Sequence, residues 1–398
     1  MLTKFDVQDG SGIALTGAEA AAEAMRQIEP GVVPVYPITP QTPIIEKFAH
    51  YVATGKIKSE MITAESEHSV MSAAIGAAAA GSRAMTATSS VGLALMYEMI
   101  NIASGMRLPI VMNVANRALS APINIHCDHS DTMGVRDSGW IQIFCESAQE
   151  VYDNTILAVR LAEHQSILLP TVVNQDGFIT SHLLEEVEIL PDGKVKNFVG
   201  EYNYPYSFFA GKNNLTFGPL MLPDKFFETK VQQAEAMETV RKVYKELAVE
   251  LEKITKREYS EIELFQVDKN TEAVIVTMSS SAGTAKEVAR KLSKKGHKVG
   301  VIKVRLFRPF PYQELGKVLK NIKNIAVLDR TFSFGSVPPL YSEVIQTLYG
   351  AGDSGKKIQS YIFGLGGRDL REKDVKDVYA DLFGNKFSTE TKYLNLNR

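Results

Sequence analysis

The sequence predicts an α/β protein built on parallel sheets, and three observations carry that reading. Short β-rich runs alternate with Ala-rich helical stretches through the first half. A long charged helix follows. Beyond it the alternation of strand and helix resumes. Alternating elements of this kind need crossover connections, which lay successive strands side by side in parallel.

The elements can be taken in order. Val32-Val33-Pro34-Val35-Tyr36 is a β-type run ending at a turn, Pro37-Ile38-Thr39-Pro40, and residues 44–51 read as a helix. Residues 69–81 are Ala-rich, good helix material whose small side chains permit close approach of another backbone. Ala84-Met85-Thr86-Ala87-Thr88 is a strand, and Ser89-Ser90-Val91-Gly92 opens a helix running towards Ala103. Residues 108–114 and 167–173 supply two more β-rich runs. Residues 190–220 read as irregular, through Pro191-Asp192-Gly193, Tyr202-Asn203-Tyr204-Pro205-Tyr206 and Gly211-Lys212-Asn213-Asn214.

Residues 225–256 form the long helix, with Val231, Ala234, Met237, Val240, Val243, Tyr244 and Leu247 near helical spacing and the charges on a solvated face. The second unit has strands at Ala273-Val274-Ile275-Val276-Thr277, Val299-Gly300-Val301-Ile302-Lys303-Val304 and Ile325-Ala326-Val327-Leu328-Asp329. An amphipathic helix at residues 284–295 ends at Gly296. Two domains are expected, residues 1–260 and 261–398, with no internal repeat and no low-complexity tail.

Composition narrows the function classes. A formal charge of −2 gives no electrostatic reason to expect nucleic acid or an anionic membrane as partner. The start, Met1-Leu2-Thr3-Lys4-Phe5-Asp6, lacks the apolar run of a secretory signal, and no stretch is apolar for long enough to span a bilayer. The expected location is cytoplasmic. Only two cysteines occur, Cys127 and Cys145, without CxxC spacing. A four-iron cluster takes about four thiolates and a structural zinc site about four Cys/His ligands. Both cysteines therefore read as small core residues, and any iron–sulfur relay must reside on another subunit.

Four segments carry candidate chemistry: residues 36–43 (YPITPQTP), 64–69 (AESEHS), 116–120 (NRALS) and 128–131 (DHSD). Each sits where a β-rich run ends or a helix begins, and ligand sites of open α/β sheets gather at the carboxyl ends of strands. Three prolines around Thr39 make a stiff loop suited to presenting a hydroxyl in fixed geometry.

These segments, with TATSSVGLALM at 86–96, ASGMRLPIV at 103–111, ANRALSAPINI at 115–125, RDSGWIQIF at 136–144, NQDGF at 174–178, VRLFRPFP at 304–311 and GLGGRD at 364–369, run through nearly the whole chain. In that order they resemble the alpha chain of multi-subunit pyruvate:ferredoxin oxidoreductases, the pyruvate synthases. The resemblance implies a pyrimidine-binding domain for thiamine diphosphate followed by a domain like the C-terminal domain of transketolases. It implies oxidative decarboxylation of pyruvate with coenzyme A to acetyl-CoA and CO2, electrons passing to ferredoxin, and reversal as pyruvate synthesis.

It also implies roles. Glu67 matches the glutamate that hydrogen-bonds N1′ of the aminopyrimidine, favouring the imino form whose exocyclic nitrogen removes the C2 proton. Thr39 matches the threonine that contacts substrate. Arg117 matches the arginine that pairs with its carboxylate, a task suited to the two parallel donors of a guanidinium. Tyr36 and Pro37 in the same loop, with Ser89 and Ser90, complete the expected cofactor contacts. The chain departs from thiamine enzymes in lacking a GDG segment; Asn174-Gln175-Asp176-Gly177 is the nearest approach. The diphosphate and Mg²⁺ are therefore expected on a beta subunit. The 4Fe–4S clusters are expected on partner chains that include a gamma subunit and a ferredoxin-like delta subunit, or fusions of these.

Structural alternatives stand beside each role. Glu67 reads equally as a helix N-terminal carboxylate, and Glu65 competes with it. Thr39 reads also as turn chemistry and Arg117 as an ion-pair donor. Thr88, Ser89 and Ser90 either cap the helix or donate to the pyrimidine. His129 reads as a loop histidine bonded to carboxylates, outside the catalytic set. Gly364-Leu365-Gly366-Gly367 lacks GxGxxG spacing and reads as a tight turn, which disfavours an independent dehydrogenase. A neutral Thr39 and a single Arg117 favour a monocarboxylic substrate over 2-oxoglutarate. A branched substrate such as 2-oxoisovalerate fits as well, and a non-catalytic scaffold would have no use for Glu67, Thr39 and Arg117 together.

Overall fold

Parallel strands need helices on both faces, and the computed structural model, which describes residues 12–209, 216–353 and 355–397, has that layering twice. The start of the chain and residues 211–214, read above, lie outside the described residues. In the first unit the strands Ile141–Cys145, Thr171–Asp176, Val111–Asn116 and Met85–Thr88 are parallel neighbours in that order. Val32–Val35 continues the set through a parallel bridge from Val32 to Ala84, and Glu60–Thr63 pairs parallel beyond it. The register sets the carboxyl ends level, Thr88 opposite Val114 and Asn116 opposite Asp176.

The Ala-rich helix Gly17–Ile28 packs with Ala148–Ala162 in one apolar layer, joined by the last two-thirds of Pro223–Thr255. Glu67–Ala79 and Tyr97–Gly105 build the opposite layer around Val70, Met71, Ile100 and Trp140.

The second sheet runs Lys392–Tyr393, Lys357–Ile362, Asn324–Asp329, Ala273–Thr277, Val299–Val304, Ile262–Phe265, all parallel except the last. Ser281–Ser293 and Glu372–Phe383 cover one face; Tyr312–Leu319 and Pro339–Gly350 cover the other. The units are joined closely. Leu306–Arg308 leaves the second sheet and pairs antiparallel with Ile141–Cys145 of the first. Met133 and Phe144 sit in the second unit's core. At the seam Lys303 Nζ lies 2.6 Å from carboxylate oxygens of Glu146, Glu150 and Glu263, and Arg305 Nη2 lies 2.8 Å from Glu150 and Glu263.

Some elements differ from expectation. The single helix expected from residue 89 is two, Ser90–Leu95 and Tyr97–Gly105, because the Met96 N–H is shared between the Gly92 and Leu93 carbonyls at 3.2 Å each. Within the stretch read as irregular, Asp192–Val199 is helical; Asp192 is anchored by Arg26 and Gln27 at 2.7 Å. The glycine turn is a short 3-10 segment, Leu365–Gly367, with left-handed Gly366 and Gly367. No helix among the described residues is long and apolar enough to cross a membrane.

Candidate functional site

Each candidate residue follows the carboxyl end of a parallel strand of the first sheet. The 36–43 loop leaves Val32–Val35, Glu67 follows Glu60–Thr63, Ser89 follows Met85–Thr88, and Arg117 follows Val111–Asn116. Level strand ends bring these loops to one edge of the sheet.

Glu67 is the first residue of its helix. Ser66 caps that helix by accepting from the Ser69 N–H at 3.3 Å, so the Glu67 carboxylate lies by the unpaired N–H groups of the first turn. It is only 6% exposed. Among the described residues it takes part in no ion pair or side-chain hydrogen bond. A glycine stands against it: a Cβ on Gly92 would be 2.5 Å from Glu67 Oε1 and 2.7 Å from Thr88 Oγ1. Any other residue at 92 would push the carboxylate aside. Thr88 is fully buried and its hydroxyl also has no partner among the described residues. Buried polar groups are seldom left unbonded, so the orphaned Thr88 hydroxyl beside an unpaired, nearly buried carboxylate marks a place built for a hydrogen-bonding ligand. Glu65 differs. It is exposed, and the Ser69 hydroxyl bonded to it holds its carboxyl below the usual value.

Arg117 joins two of the loops. Its Nη1 donates to the Thr39 carbonyl at 2.9 Å and its Nε to the Asn124 carbonyl at 2.9 Å. The two parallel donors expected for a substrate carboxylate are thus partly engaged by backbone, and Nη2 remains. Thr39 itself is exposed, Tyr36 half-buried and Pro37 exposed. Ser89 and Ser90 are fully buried, and their hydroxyls donate inward, to the Ala115 carbonyl at 2.7 Å and the Ala118 carbonyl at 2.5 Å. They lock the strand-to-helix turn, and Ser90 adopts a left-handed φ of 47° there.

Sequence reasoning missed the group that organises this edge, Asp131. One oxygen accepts from Ser90 N at 3.0 Å and Arg117 N at 2.9 Å; the other accepts from Asn116 Nδ2 at 2.9 Å and Thr132 N at 2.7 Å. Burial pushes its carboxyl up to about 6 despite these four donors. The DHSD segment was a signal, but nothing in it separates Asp131 from Asp128, which only holds Ser130. Gln41 was missed too; its amide donates to the Ala87 carbonyl at 3.0 Å and ties the 36–43 loop down.

His129 belongs to another cluster. Its Nε2 is 2.7 Å from Asp176 Oδ1, while Arg330 Nη1 meets Asp176 Oδ2 at 2.8 Å and Cys127 Sγ at 3.6 Å. Burial would push Asp176 up, but Arg330 and His129 hold it well below the usual carboxylate range. Burial pushes both cysteine thiols up, away from thiolate chemistry. Cys127, His129 and Asp176 are close enough to hold a metal ion, as are Glu146, Glu150 and Glu263. In both places a protein cation already stands, Arg330 in the first, Lys303 and Arg305 in the second. Both clusters are structural ion-pair sets.

Comparison with known proteins adds to this geometry. A family model described as pyruvate flavodoxin/ferredoxin oxidoreductase, thiamine diP-binding, matches residues 23–248, and one described as pyruvate:ferredoxin oxidoreductase core domain II matches residues 271–375. The chain is 53% identical over 385 residues to pyruvate synthase subunit PorA of Thermotoga maritima, covering 96% of this chain and 98% of that one. It is 47% identical to PorA of Methanocaldococcus jannaschii, covering 92% and 93%. Ketoisovalerate oxidoreductase subunit VorA of Pyrococcus abyssi is 41% identical, covering 96% and 98%. Among solved structures, 2-oxoglutarate:ferredoxin oxidoreductase from Magnetococcus marinus superposes with a TM-score of 0.74 at 19% identity, over 96% of this chain and 68% of that one. A split-gene transketolase follows at 0.53 and 14% identity, over 94% and 98%.

Proposed function

The chain belongs to the pyruvate flavodoxin/ferredoxin oxidoreductase family, and we propose that it carries the pyrimidine-activating half of a divided thiamine-diphosphate site acting on pyruvate. In this reading the assembled enzyme converts pyruvate and coenzyme A to acetyl-CoA and CO2, gives electrons to ferredoxin, and runs in reverse as a pyruvate synthase. The observation that carries it is Glu67: a buried carboxylate with no partner among the described residues, walled by Gly92 and Thr88.

That cradle fits the aminopyrimidine of thiamine diphosphate. The bound coenzyme supplies a carbon nucleophile for the 2-oxo carbon and a sink for the electron pair left by CO2. Glu67 holds the proton at N1′ of the ring. A nearly buried carboxylate does this better than one in water, because it faces little screening. Arg117 fixes the Thr39 loop through its Nη1 and offers Nη2 to the substrate carboxylate. Thr39, exposed and small, lies beside the incoming 2-oxoacid.

The diphosphate and Mg²⁺ fall to a beta subunit, since this chain has no GDG segment. The 4Fe–4S clusters fall to the gamma and ferredoxin-like delta subunits, or to fusions of these, since both cysteines here are buried, protonated core residues. A cytoplasmic location completes the proposal. The identity to ketoisovalerate oxidoreductase subunits favours one second reading, the same chemistry on a branched 2-oxoacid.

The test is made on the complex purified with its partner chains, by 2-oxoacid-dependent viologen reduction with coenzyme A. Glu67→Gln is expected to lower kcat roughly 10²–10⁴-fold, while Glu65→Gln stays near wild type. A panel of pyruvate, 2-oxoisovalerate and 2-oxoglutarate separates the two readings by kcat/KM. An active Glu67→Gln enzyme, or full activity from this chain alone, would overturn the proposal.

A further inference from the structure

The Thr88 hydroxyl stands with the Glu67 carboxylate against Gly92, and it has no role yet in the activation of the coenzyme. Thr88 ends the strand Met85–Thr88 and is fully buried, and its Oγ1 has no hydrogen-bond partner among the described residues. Its neighbours in sequence resolve otherwise: the Ser89 and Ser90 hydroxyls reach backbone carbonyls. Thr86, also on this strand, donates to the Pro34 carbonyl at 2.7 Å. Three nearby hydroxyls are thus satisfied and the fourth is not. It lies against the same face of Gly92 as the Glu67 carboxylate, each within 3 Å of one point.

We infer that Thr88 is a positioning residue for Glu67: its hydroxyl backs the carboxylate on the side away from solvent and donates to it once the coenzyme's pyrimidine engages the other side. This rests on the reading of Glu67 given above. The accessibilities divide the labour, because Glu67 retains a little exposure and Thr88 none, so only Glu67 meets a ligand directly. A carboxylate gripped from behind keeps one rotamer and presents one oxygen to the ring nitrogen. Holding a reacting group in register in this way is a recognised source of rate. The absence of a side chain at Gly92 leaves the two oxygens free to approach across it. In the coenzyme-free chain the hydroxyl is a buried donor without an acceptor, a local instability tolerated at a functional place.

The inference has a signature that a packing role lacks. Thr88→Val keeps the shape and removes the hydroxyl. The assembled complex carrying it should melt, without coenzyme, at or above the wild-type temperature, because no hydrogen bond is lost and an unbonded polar group is removed. The rise in melting temperature on adding thiamine diphosphate and Mg²⁺ should shrink. The kcat for pyruvate should fall about tenfold with KM little changed, and Thr88→Ser should restore both coenzyme response and rate.

A Thr88→Val complex with wild-type kcat and wild-type coenzyme response overturns the inference. So does a lower coenzyme-free melting temperature, which would give the hydroxyl a structural partner. Glu67→Gln run in parallel separates the failures. If it retains activity, the reading of Glu67 falls. If it is inactive while Thr88→Val behaves as wild type, only the Thr88 assignment falls.

Discussion

Two buried glutamates of this chain, Glu150 and Glu67, are treated in opposite ways. At the seam between the sheets, Glu146, Glu150 and Glu263 surround Lys303 and Arg305, with Lys286 adding a further ammonium 2.6 Å from Glu146. Burial alone would push the Glu150 carboxyl up, yet Arg305 and Lys303 hold it well below the usual range. At the sheet edge Glu67 is just as enclosed and no cation answers it among the described residues. The contrast teaches how to tell architecture from chemistry here. A carboxylate whose charge is met by the fold is fixed by the fold; one left open, beside a second open hydroxyl, is kept for something else.

The contrast can be broken first by exchanging its outcomes. Glu67→Gln should cost activity by roughly 10²–10⁴-fold and leave the coenzyme-free melting temperature unchanged. Arg305→Met should do the reverse. It removes one of the two seam cations that meet Glu150 and Glu263, with Lys303 left to both, and should destabilise the chain by about 1–3 kcal/mol, read by chemical denaturation, while coenzyme-dependent activity per folded molecule persists. If both variants lose stability alike, the two regions are the same kind of thing.

Gly92→Ala sharpens the comparison at smaller scale. The added methyl would meet the flexible end of Glu67, which can move, and the buried Thr88 hydroxyl, which has little room to. Displacement of a catalytic group by about 1 Å costs on the order of 10²-fold. We expect such a loss in kcat with only a small drop in melting temperature, set by the contact with Thr88.

The smallest effect is a pair of opposed pH slopes. Glu150 is depressed below its ordinary value of 4.5, so its contribution is present above that value and is lost as pH falls. Asp131 is raised from 3.8 to about 6. The folded chain binds its proton more readily than the unfolded chain in that window, so stability declines as pH rises through it. Relative to Asp131→Asn, wild type should lose stability between those two values as pH increases. Relative to Glu150→Gln, it should lose stability as pH drops below 4.5.

The sequence was legible where physics is local. Ala273–Thr277 and Val299–Val304 lie at the predicted residues because short runs rich in β-branched Val, Ile and Thr admit little else. The helix Pro223–Thr255 followed from the spacing of Val240, Val243, Tyr244 and Leu247, all of them buried. Ala148–Ala162 left no trace in periodicity because burial runs nearly all round it, Asp153, Asn154 and Thr155 included, and a helix without a solvent face has no amphipathic stripe. Ile141–Cys145 carries a fully buried Gln142 that interrupts the apolar run.

At the site, Glu67, Thr39 and Arg117 could be named from their segments. What could not be read was which hydroxyls are spent. Ser89, Ser90 and Thr88 are near-equivalent on paper, and only the arrangement of the Ala115 and Ala118 carbonyls separates them. Asp131 was hidden for the same reason, since its four donors come from three separate stretches of chain.

The three residues Leu306–Arg308 reach well beyond their length. They cap the outer hydrogen-bonding row of Ile141–Cys145, although everything around them in the chain serves the other sheet. A shortened protein stopping at residue 260 would therefore bare a fully buried, mostly apolar strand along its rim, the sort of surface that recruits further strands and precipitates. Splitting, swapping or grafting the halves of this polypeptide should succeed only where that short ribbon travels with the first half.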